Sequence, residues 1–594
     1  MSEREPLESV RAELRRLGYL SHRFERYLLQ DALAPRGGWQ GLLRLAARGG
    51  LLVAVLLATA ASLALAAANR LLGAPAELAL LFVHVGVPTL AASTLGLLAL
   101  LVAYRAVLAV ARRRGQGVWR LALAGAGALG VTGVGLALGW QFLLELPRGG
   151  RVAVAVAVPL VAVAIAKLIA DALLALGIRL TRQVPPERMI RRRWIAASAV
   201  VSALVTGGAA LLLSPPRPRP EPVALPVAPG ERVALVGVDG VLADEVDYRL
   251  ASGALPRLAE LLHAGGVVAR LERPAPSTPA ETWTTIATGR SPADHGVRAL
   301  DGFRLLGMRT VLARPGPWRL LWSHAGAALG VAEQRPLLSG VRRAPAVWEL
   351  VARGGRPVVV VNWWGTYPAE PTPGLLLAHG GWEQLAAGDR AAVAPAAAFD
   401  ELAALAREVA AAGLAAPSDA PLAATGRDAL AADAFHRRIA TGAEAAAALA
   451  VAVYLPALDL IAASGVTPRA AFAALVDHEL AAADALAGEL AKRATTVVVV
   501  FDPGRRGGSE GRVIVARAGC AAGERPSLDA RGVAPLVARA AGLPQSAELP
   551  EPPGFCAWPE PPARLATYGE RRPAAGTAAA EREYLETLRS LGYL

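Results

Sequence analysis

The sequence predicts two joined architectures: an N-terminal all-α transmembrane bundle of about five helices, and a C-terminal α/β domain built on a doubly wound sheet. Three observations carry this. Five apolar runs, at about 47–69, 78–103, 121–145, 152–178 and 194–214, are each near or above the roughly 20 residues that span a hydrocarbon core. Beyond residue 231 the pattern changes to short β-branched runs interleaved with helical stretches, as an α/β domain requires. Between the two lies Pro215-Pro216-Arg217-Pro218-Arg219-Pro220, a stiff extended spacer.

Length and composition agree with that division. A chain of 594 residues is too long for one domain, and 54% hydrophobic content is high for a wholly soluble one. The formal net charge is +13, carried almost entirely by Arg, with Lys only at Lys167 and Lys492. Many of these charges sit between apolar runs, where they orient membrane helices. No basic groove with interleaved aromatics accompanies them, so nucleic acid is excluded as a partner.

Residues 1–41 read as a charged, helix-prone cytoplasmic segment with apolar spacing at Val10, Leu14 and Leu17. A short apolar core with a cleavage site is absent from it, unlike a cleaved signal peptide. Leu14-Arg15-Arg16-Leu17-Gly18-Tyr19-Leu20 nearly recurs as Leu588-Arg589-Ser590-Leu591-Gly592-Tyr593-Leu594. Two readings stand: a docking element used twice, or a helix stop whose Gly takes the left-handed position.

Residues 42–214 form the transmembrane domain. The connection 104–120 carries Arg105, Arg112, Arg113, Arg114 and Arg120, and 179–193 carries Arg179, Arg182, Arg188, Arg191, Arg192 and Arg193. The alternate connections carry only Arg70 in one, and Arg148 and Arg151 in the other. Positive loops stay inside, so the N-terminus is expected in the cytoplasm and the C-terminal domain outside it. The dominance of Arg and Ala suggests a GC-rich bacterial coding bias, which makes the inner (cytoplasmic) membrane the expected location and the periplasmic side that of the C-terminal domain. Lys167 and Asp171 meet at i, i+4 within the fourth span. They read either as a functional intramembrane site or as a self-neutralising pair. His84 in the second span has no such partner and reads as a packing or interfacial residue.

After the linker at 215–230, residues 231–594 form the second domain. Val233-Ala234-Leu235-Val236-Gly237-Val238 is too short for a helix and reads as a buried parallel strand, delivering Asp239 to its C-terminal end. Ligands of open α/β sheets bind at such ends. Pro357 to Asn362 and Thr495 to Asp502 repeat the pattern, the second again ending in Asp. Thr278-Pro279 with Glu281 predicts a capped helix start. The Ala-rich region 383–450 predicts a helical covering layer. Cys520 and Cys556 can pair if this region lies outside the cytoplasm.

These residues resemble the type I phosphodiesterase/nucleotide pyrophosphatase branch of the alkaline phosphatase superfamily. The resemblance covers 231–594 and rests on Val236-Gly237-Val238-Asp239-Gly240, Leu255-Pro256-Arg257-Leu258, Trp283-Thr284-Thr285-Ile286-Ala287-Thr288-Gly289, Asp294-His295-Gly296, Ala344-Pro345-Ala346-Val347-Trp348 and Asn362-Trp363-Trp364-Gly365-Thr366-Tyr367-Pro368-Ala369-Glu370-Pro371. Val533-Ala534-Pro535, Gly542-Leu543-Pro544 and Thr567-Tyr568-Gly569 complete it.

The resemblance implies an alkaline-phosphatase-like fold in which two divalent metals, usually zinc, activate a Thr or Ser nucleophile against a phosphoryl group. It assigns Asp239, Asp459 and Asp502 as metal ligands. The histidines that should accompany the last two are replaced by Ala463 and Pro503. The family spacing places the nucleophile at Pro279, which has no hydroxyl; Thr278, one residue further away, is the nucleophile candidate, with helix capping as its other role. His295 belongs to a structural Asp-His-Gly, and His263, His379, His436 and His478 read as surface or helix residues. Three carboxylates without imidazole or metal would repel and raise one another's pKa values. They are therefore expected either spread apart and solvated, or holding a hard cation such as Mg²⁺ or Ca²⁺.

The leading expectation is a membrane-anchored pseudoenzyme with no cofactor. It would bind a phosphorylated or lipid-linked envelope component, or scaffold a membrane protein partner. The alternative is an active phosphodiesterase or phosphotransferase using Zn, Mn, Mg or Ca and Thr278. A third possibility is transport through Lys167 and Asp171.

Overall fold

The computed structural model describes residues 5–21, 23–30, 39–69, 73–111, 148–181 and most of 225–593; the main stretches left out of the last range are 274–276, 413–423, 466–468, 521–525 and 572–577. The chain forms two compact units, 1–217 with 303–334, and 218–302 with 335–594. Residues 303–334, inside the segment read from the sequence as one domain, thus group with the helical unit.

In the first unit α1 (Glu5–Arg16) ends as its sequence requires. Gly18 takes a φ of 80°, Leu17 and Gly18 donate their N–H groups to Glu13 O and Arg15 O, and Tyr19 is buried. Next come α2 (Arg23–Leu29), α3 (Trp39–Ala68), α4 (Pro75–Ala111) and α5 (Arg148–Thr181). The last three are long and apolar enough to cross a membrane. They correspond to the expected first, second and fourth spans, each extended by several residues. The expected spans at 121–145 and 194–214 lie outside the described residues.

Lys167 and Asp171 meet on α5, where the ammonium donates to Asp171 Oδ2 at 2.5 Å. The same ammonium lies 3.4 Å from Glu25 Oε1 of α2. The pair read from the sequence is therefore a triad that ties the N-terminal segment to a membrane helix. Residues 303–334 pack in the same unit, where Phe303, Leu305, Leu312 and Trp322 share an apolar cluster with Leu65 of α3 and Leu81 and Val85 of α4.

The second unit is built on nine strands: β1 (Val233–Asp239), β2 (Val267–Glu272), β3 (Val358–Trp363), β4 (Gly374–Ala378), β5 (Val393–Ala394), β6 (Ala450–Leu455), β7 (Thr496–Asp502), β8 (Glu510–Ala516) and β9 (Ser527–Asp529). Their order is β9-β2-β8-β7-β1-β6-β3-β4-β5. The centre, β7-β1-β6-β3-β4, is parallel, and antiparallel pairings flank it at β8 and β5.

Strand parity divides the core in two. Val233 and Leu235 face the layer containing α6 (Pro279–Thr288) and its Trp283. Ala234, Val236 and Val238 face the layer of α7 (Ala424–Thr441) and α9 (Arg469–Ala491). A strand covered on both faces must be apolar throughout, which is why β1 shows no polar alternation. Gly237 is the exception in size because a Cβ there would fall 2.4 Å from the Trp283 ring. Cys520 and Cys556 form a disulfide.

Candidate functional site: three carboxylates held by arginine

The parallel centre of the sheet brings three acids to one end. Asp239 closes β1 and Asp502 closes β7, directly opposite each other in register. Strand β6 runs beside β1 and leads through Pro456 into α8 (Ala457–Ser464), whose first turn carries Asp459. All three side chains are fully buried. The three candidate ligands are therefore brought together in the crevice outside the strand ends.

Five of the six carboxylate oxygens accept a protein hydrogen bond, and the sixth lies beside a guanidinium. Asp239 Oδ2 accepts from Trp283 Nε1 at 2.8 Å and Tyr454 Oη at 2.7 Å, and its Oδ1 accepts from Gly240 N. Asp459 accepts from Arg505 twice, from the backbone N–H at Oδ1 (2.7 Å) and from Nε at Oδ2 (2.9 Å). Asp502 Oδ1 accepts from Gly504 N at 2.8 Å. Its Oδ2 forms an ion pair with Arg273 Nε at 2.8 Å, although the N–H does not point at the oxygen.

Gly504 seals this arrangement. Its φ is 57°, and a Cβ there would fall 2.4 Å from Asp459 Oδ1 and 2.6 Å from Asp239 Oδ1. The backbone itself lies against both acids, so only Gly fits.

The expectation that the carboxylates are spread apart or hold a hard cation needs correction on its first alternative. They converge and are buried, because Arg273 and Arg505 bring the compensating charge. Their mutual effect has the expected sign. Burial, followed by the charges of Asp459 and Asp502, pushes Asp239 well above the ordinary carboxylate range. Burial also raises Asp502, against the opposing pull of Arg273.

The donor set fits a zinc pair poorly. Zinc sites draw on imidazole or thiolate as well as carboxylate, and here Ala463 is exposed on α8 while Pro503 is buried with no donor to offer. Among the described residues no set of three or more His, Cys, Asp or Glu side chains is arranged to hold a metal ion. Thr278 caps α6. Its hydroxyl accepts from Glu281 N at 3.3 Å, and Glu281 Oε2 accepts in return from Thr278 N at 2.8 Å.

Of the histidines read from the sequence as surface or helix residues, His379 is neither, and His436 is on a helix but buried. His379 follows β4, is buried, and stacks 3.8 Å from the Trp364 ring with Nδ1 at 2.9 Å from Tyr584 Oη. His436 lies on α7 as a helix residue but is buried. Burial lowers both to a pKa of about 3, so each is neutral at pH 7. His295 is buried between Thr285 Oγ1 and the Val297 N–H, a structural role.

Four residues of the site escaped the sequence: Arg273, Tyr454, Arg505 and Tyr593. The last belongs to the repeated segment. After α10 (Ala578–Ser590), Gly592 turns the chain with a φ of 70° and Tyr593 N donates back to Leu588 O. This is the helix stop seen after α1. Here it also reaches the crevice: Arg505 Nη1 donates to Gly592 O at 2.7 Å, and the guanidinium lies 4.5 Å from the Tyr593 ring. That ring meets Trp364 edge-on at 4.9 Å. Burial and the charges of Asp459 and Asp239 raise the Tyr593 hydroxyl pKa well above its usual value.

The chain is similar to the solved phosphonoacetate hydrolase from Sinorhizobium meliloti 1021 in complex with phosphonoformate, at 17% identity and a TM-score of 0.30, over 47% of this chain and 59% of that one. It thus spans about three-fifths of that protein's length. No curated protein matches. Residues 233–459 match the family model described as type I phosphodiesterase / nucleotide pyrophosphatase. Over residues 233–459, from β1 to Asp459 on α8, the sheet unit thus matches the phosphodiesterase/nucleotide-pyrophosphatase family model of the alkaline phosphatase superfamily, and the same chain carries helices long and apolar enough to cross a membrane.

Proposed function

We propose that this domain is a membrane-anchored pseudoenzyme, which keeps the family's fold as a binding or scaffolding body and no longer turns over phosphoesters. One observation carries the reading: five of the six oxygens of Asp239, Asp459 and Asp502 accept protein hydrogen bonds, the sixth lies 2.8 Å from Arg273 Nε, and Arg505 and Arg273 supply the positive charge. In the family that charge comes from metal ions, which also polarise the phosphoryl group and activate the nucleophile. A guanidinium fixed on a carboxylate neutralises it without offering an open coordination position. Asp239, Asp459 and Asp502 are on this reading remnant ligands, and Thr278 is a helix cap.

The apolar helices and the Arg-rich connections support a location in a bacterial inner membrane, with the N-terminus in the cytoplasm. What the domain meets there is a component held at the bilayer, either a phosphorylated or lipid-linked envelope molecule or another membrane protein. The alternative, an active metal-dependent phosphodiesterase using the same three acids, has the convergence of the carboxylates in its favour.

Metal analysis separates the two. The full-length protein is purified in detergent, incubated with zinc, manganese, magnesium and calcium, and freed of excess ions. It is then assayed for bound metal and for cleavage of a nitrophenyl phosphodiester. The pseudoenzyme reading expects no stoichiometric metal and no turnover. One or two tightly held ions per chain with turnover would overturn it.

A further inference from the structure

The excursion at 303–334 presents apolar side chains outward. Leu306, Leu320 and Leu329 are 63%, 72% and 76% exposed. Exposed leucines grouped on one short segment mark an interaction surface more often than isolated ones do. The half-buried Trp318 lies on the same segment, stacked on the buried Trp322 with ring centroids 6.2 Å apart. Arg309 and Arg319 are exposed on the same segment. Tryptophan and arginine beside apolar side chains compose the headgroup layer of a bilayer-facing surface.

Its attachment fixes its depth. Helix α4 has 37 residues, about 55 Å of helix against a hydrocarbon core of about 30 Å. Between Glu77 and Arg105 it carries no Asp, Glu, Lys or Arg, and His84 is the one histidine in that stretch. The excursion is pinned along the helix at Glu77 and His84. His84 Nε2 donates to Leu306 O at 2.9 Å, and Glu77 accepts from the backbone N–H groups of Arg309 (2.9 Å) and Thr310 (3.3 Å). Leu306 therefore lies level with His84, about two turns into the helix, and Arg309 level with Glu77 in its first turn, where the stretch without charged residues begins. On α4 itself Val87 and Leu95 are 66% exposed each, as side chains facing lipid must be.

We propose that residues 303–334 form an interfacial element seated in the headgroup layer of the phospholipid bilayer beside the start of α4. Leu306, Leu320 and Leu329 enter the acyl boundary, and Arg309 and Arg319 meet lipid phosphates. The proposal rests on the reading that α4 spans the membrane, and the test separates the two. The element sets how deeply the helical unit sits in the bilayer.

The experiment places a nitroxide label on the full-length protein at Leu306→Cys, Leu320→Cys and Leu329→Cys in turn, since the two native cysteines are consumed by their disulfide. Leu95→Cys marks the hydrocarbon, and Tyr248→Cys, exposed on the sheet unit, marks water. The protein is reconstituted in vesicles of phosphatidylethanolamine and phosphatidylglycerol. Accessibility to oxygen and to a water-soluble nickel chelate is read by power saturation. The expected result is an oxygen-to-nickel ratio at the three leucines shifted above that at Tyr248 and below that at Leu95. Ratios at all three equal to that at Tyr248, with Leu95 in hydrocarbon, overturn the proposal alone. Protection from both reagents assigns the surface to a protein partner or a second copy, and also overturns it. A water-like Leu95 overturns the spanning reading together with the proposal.

Discussion

Arg505 holds Asp459 with two donors at once, its backbone N–H on Oδ1 at 2.7 Å and its side-chain Nε on Oδ2 at 2.9 Å. A residue that binds one carboxylate through both backbone and side chain cannot swing away without breaking both. The cation is therefore fixed beside Asp459. Arg273 is similarly placed on Asp502, so two of the three acids carry a guanidinium partner.

Removing that partner leaves a buried charge. Arg505→Met is expected to destabilise the sheet domain by about 3 kcal/mol, the cost of orphaning one member of a buried ion pair. Asp459→Asn in the same background should recover part of the loss, because the uncompensated charge is then gone. Thermal unfolding of the four proteins in detergent gives the coupling directly. Additive losses would show that the pair does not act as a unit.

Tyr593 supports the same residue from the other side. Its ring lies under the Arg505 guanidinium, while its hydroxyl is buried without an aligned hydrogen bond. Tyr593→Ala should cost about 2–4 kcal/mol through the lost ring contacts. Tyr593→Phe should change stability by less than about 1 kcal/mol, since a buried hydroxyl with no partner contributes little. A large loss in Tyr593→Phe would show a working hydrogen bond, which the neighbouring Tyr454 is placed to accept.

Much of the fold was legible in the sequence, and particular residues show why. The run from Val233 to Asp239 announced a doubly covered strand because parallel strands lose their polar alternation. Asp239 and Asp502 could be placed at strand ends because each follows such a run directly. The Arg partners could not. Arg273 and Arg505 lie 232 residues apart in the chain, and nothing local to either one says which carboxylate it will meet. The same holds for Tyr593, whose segment looks alike at both ends of the chain and stops a helix in both places, yet only one copy reaches the acids. The burial of His379 and His436, read from the sequence as surface or helix residues, was not legible because burial of a neutral imidazole leaves no periodic signal. Residues 303–334 follow an α/β pattern in sequence, and their apolar contacts with α3 and α4 and the hydrogen bonds of Glu77 and His84 assign them to the helical unit.

Glu349 tests the frame behind the resemblance. It accepts from Arg342 at 2.6 and 2.9 Å and from Arg571 at 3.0 Å, and it caps its own helix through Ala346 N. Burial opposes its ionisation, but the Arg342 charge prevails and lowers its pKa to about 2. A lowered folded-state value stabilises the fold above the unfolded carboxylate pKa, and this contribution fades as pH falls from about 4.5 toward 2. Glu349→Gln should therefore cost about 3 kcal/mol at pH 7, with the variant and the parent converging in acid. A difference independent of pH would assign the loss to packing.

Asp433 carries the opposite sign. Its Oδ2 accepts from Ala457 N at 3.0 Å, at the start of the helix that presents Asp459. Burial raises its pKa to about 7, despite the nearby Arg437. A raised folded-state value means that the native chain holds the proton more tightly than the unfolded one. The resulting stability is fully present below the unfolded pKa, near 4, and is lost as pH rises through 7. Asp433→Asn keeps the acceptor for Ala457 N and has no proton to lose, so its stability should not fall over that window. The difference between variant and parent is expected to move in the variant's favour by up to about 4 kcal/mol between pH 4 and pH 8. Thermal midpoints of the two full-length proteins across that range measure it. A constant difference would mean that Asp433 stays ionised in the fold and that the Arg437 charge outweighs its burial.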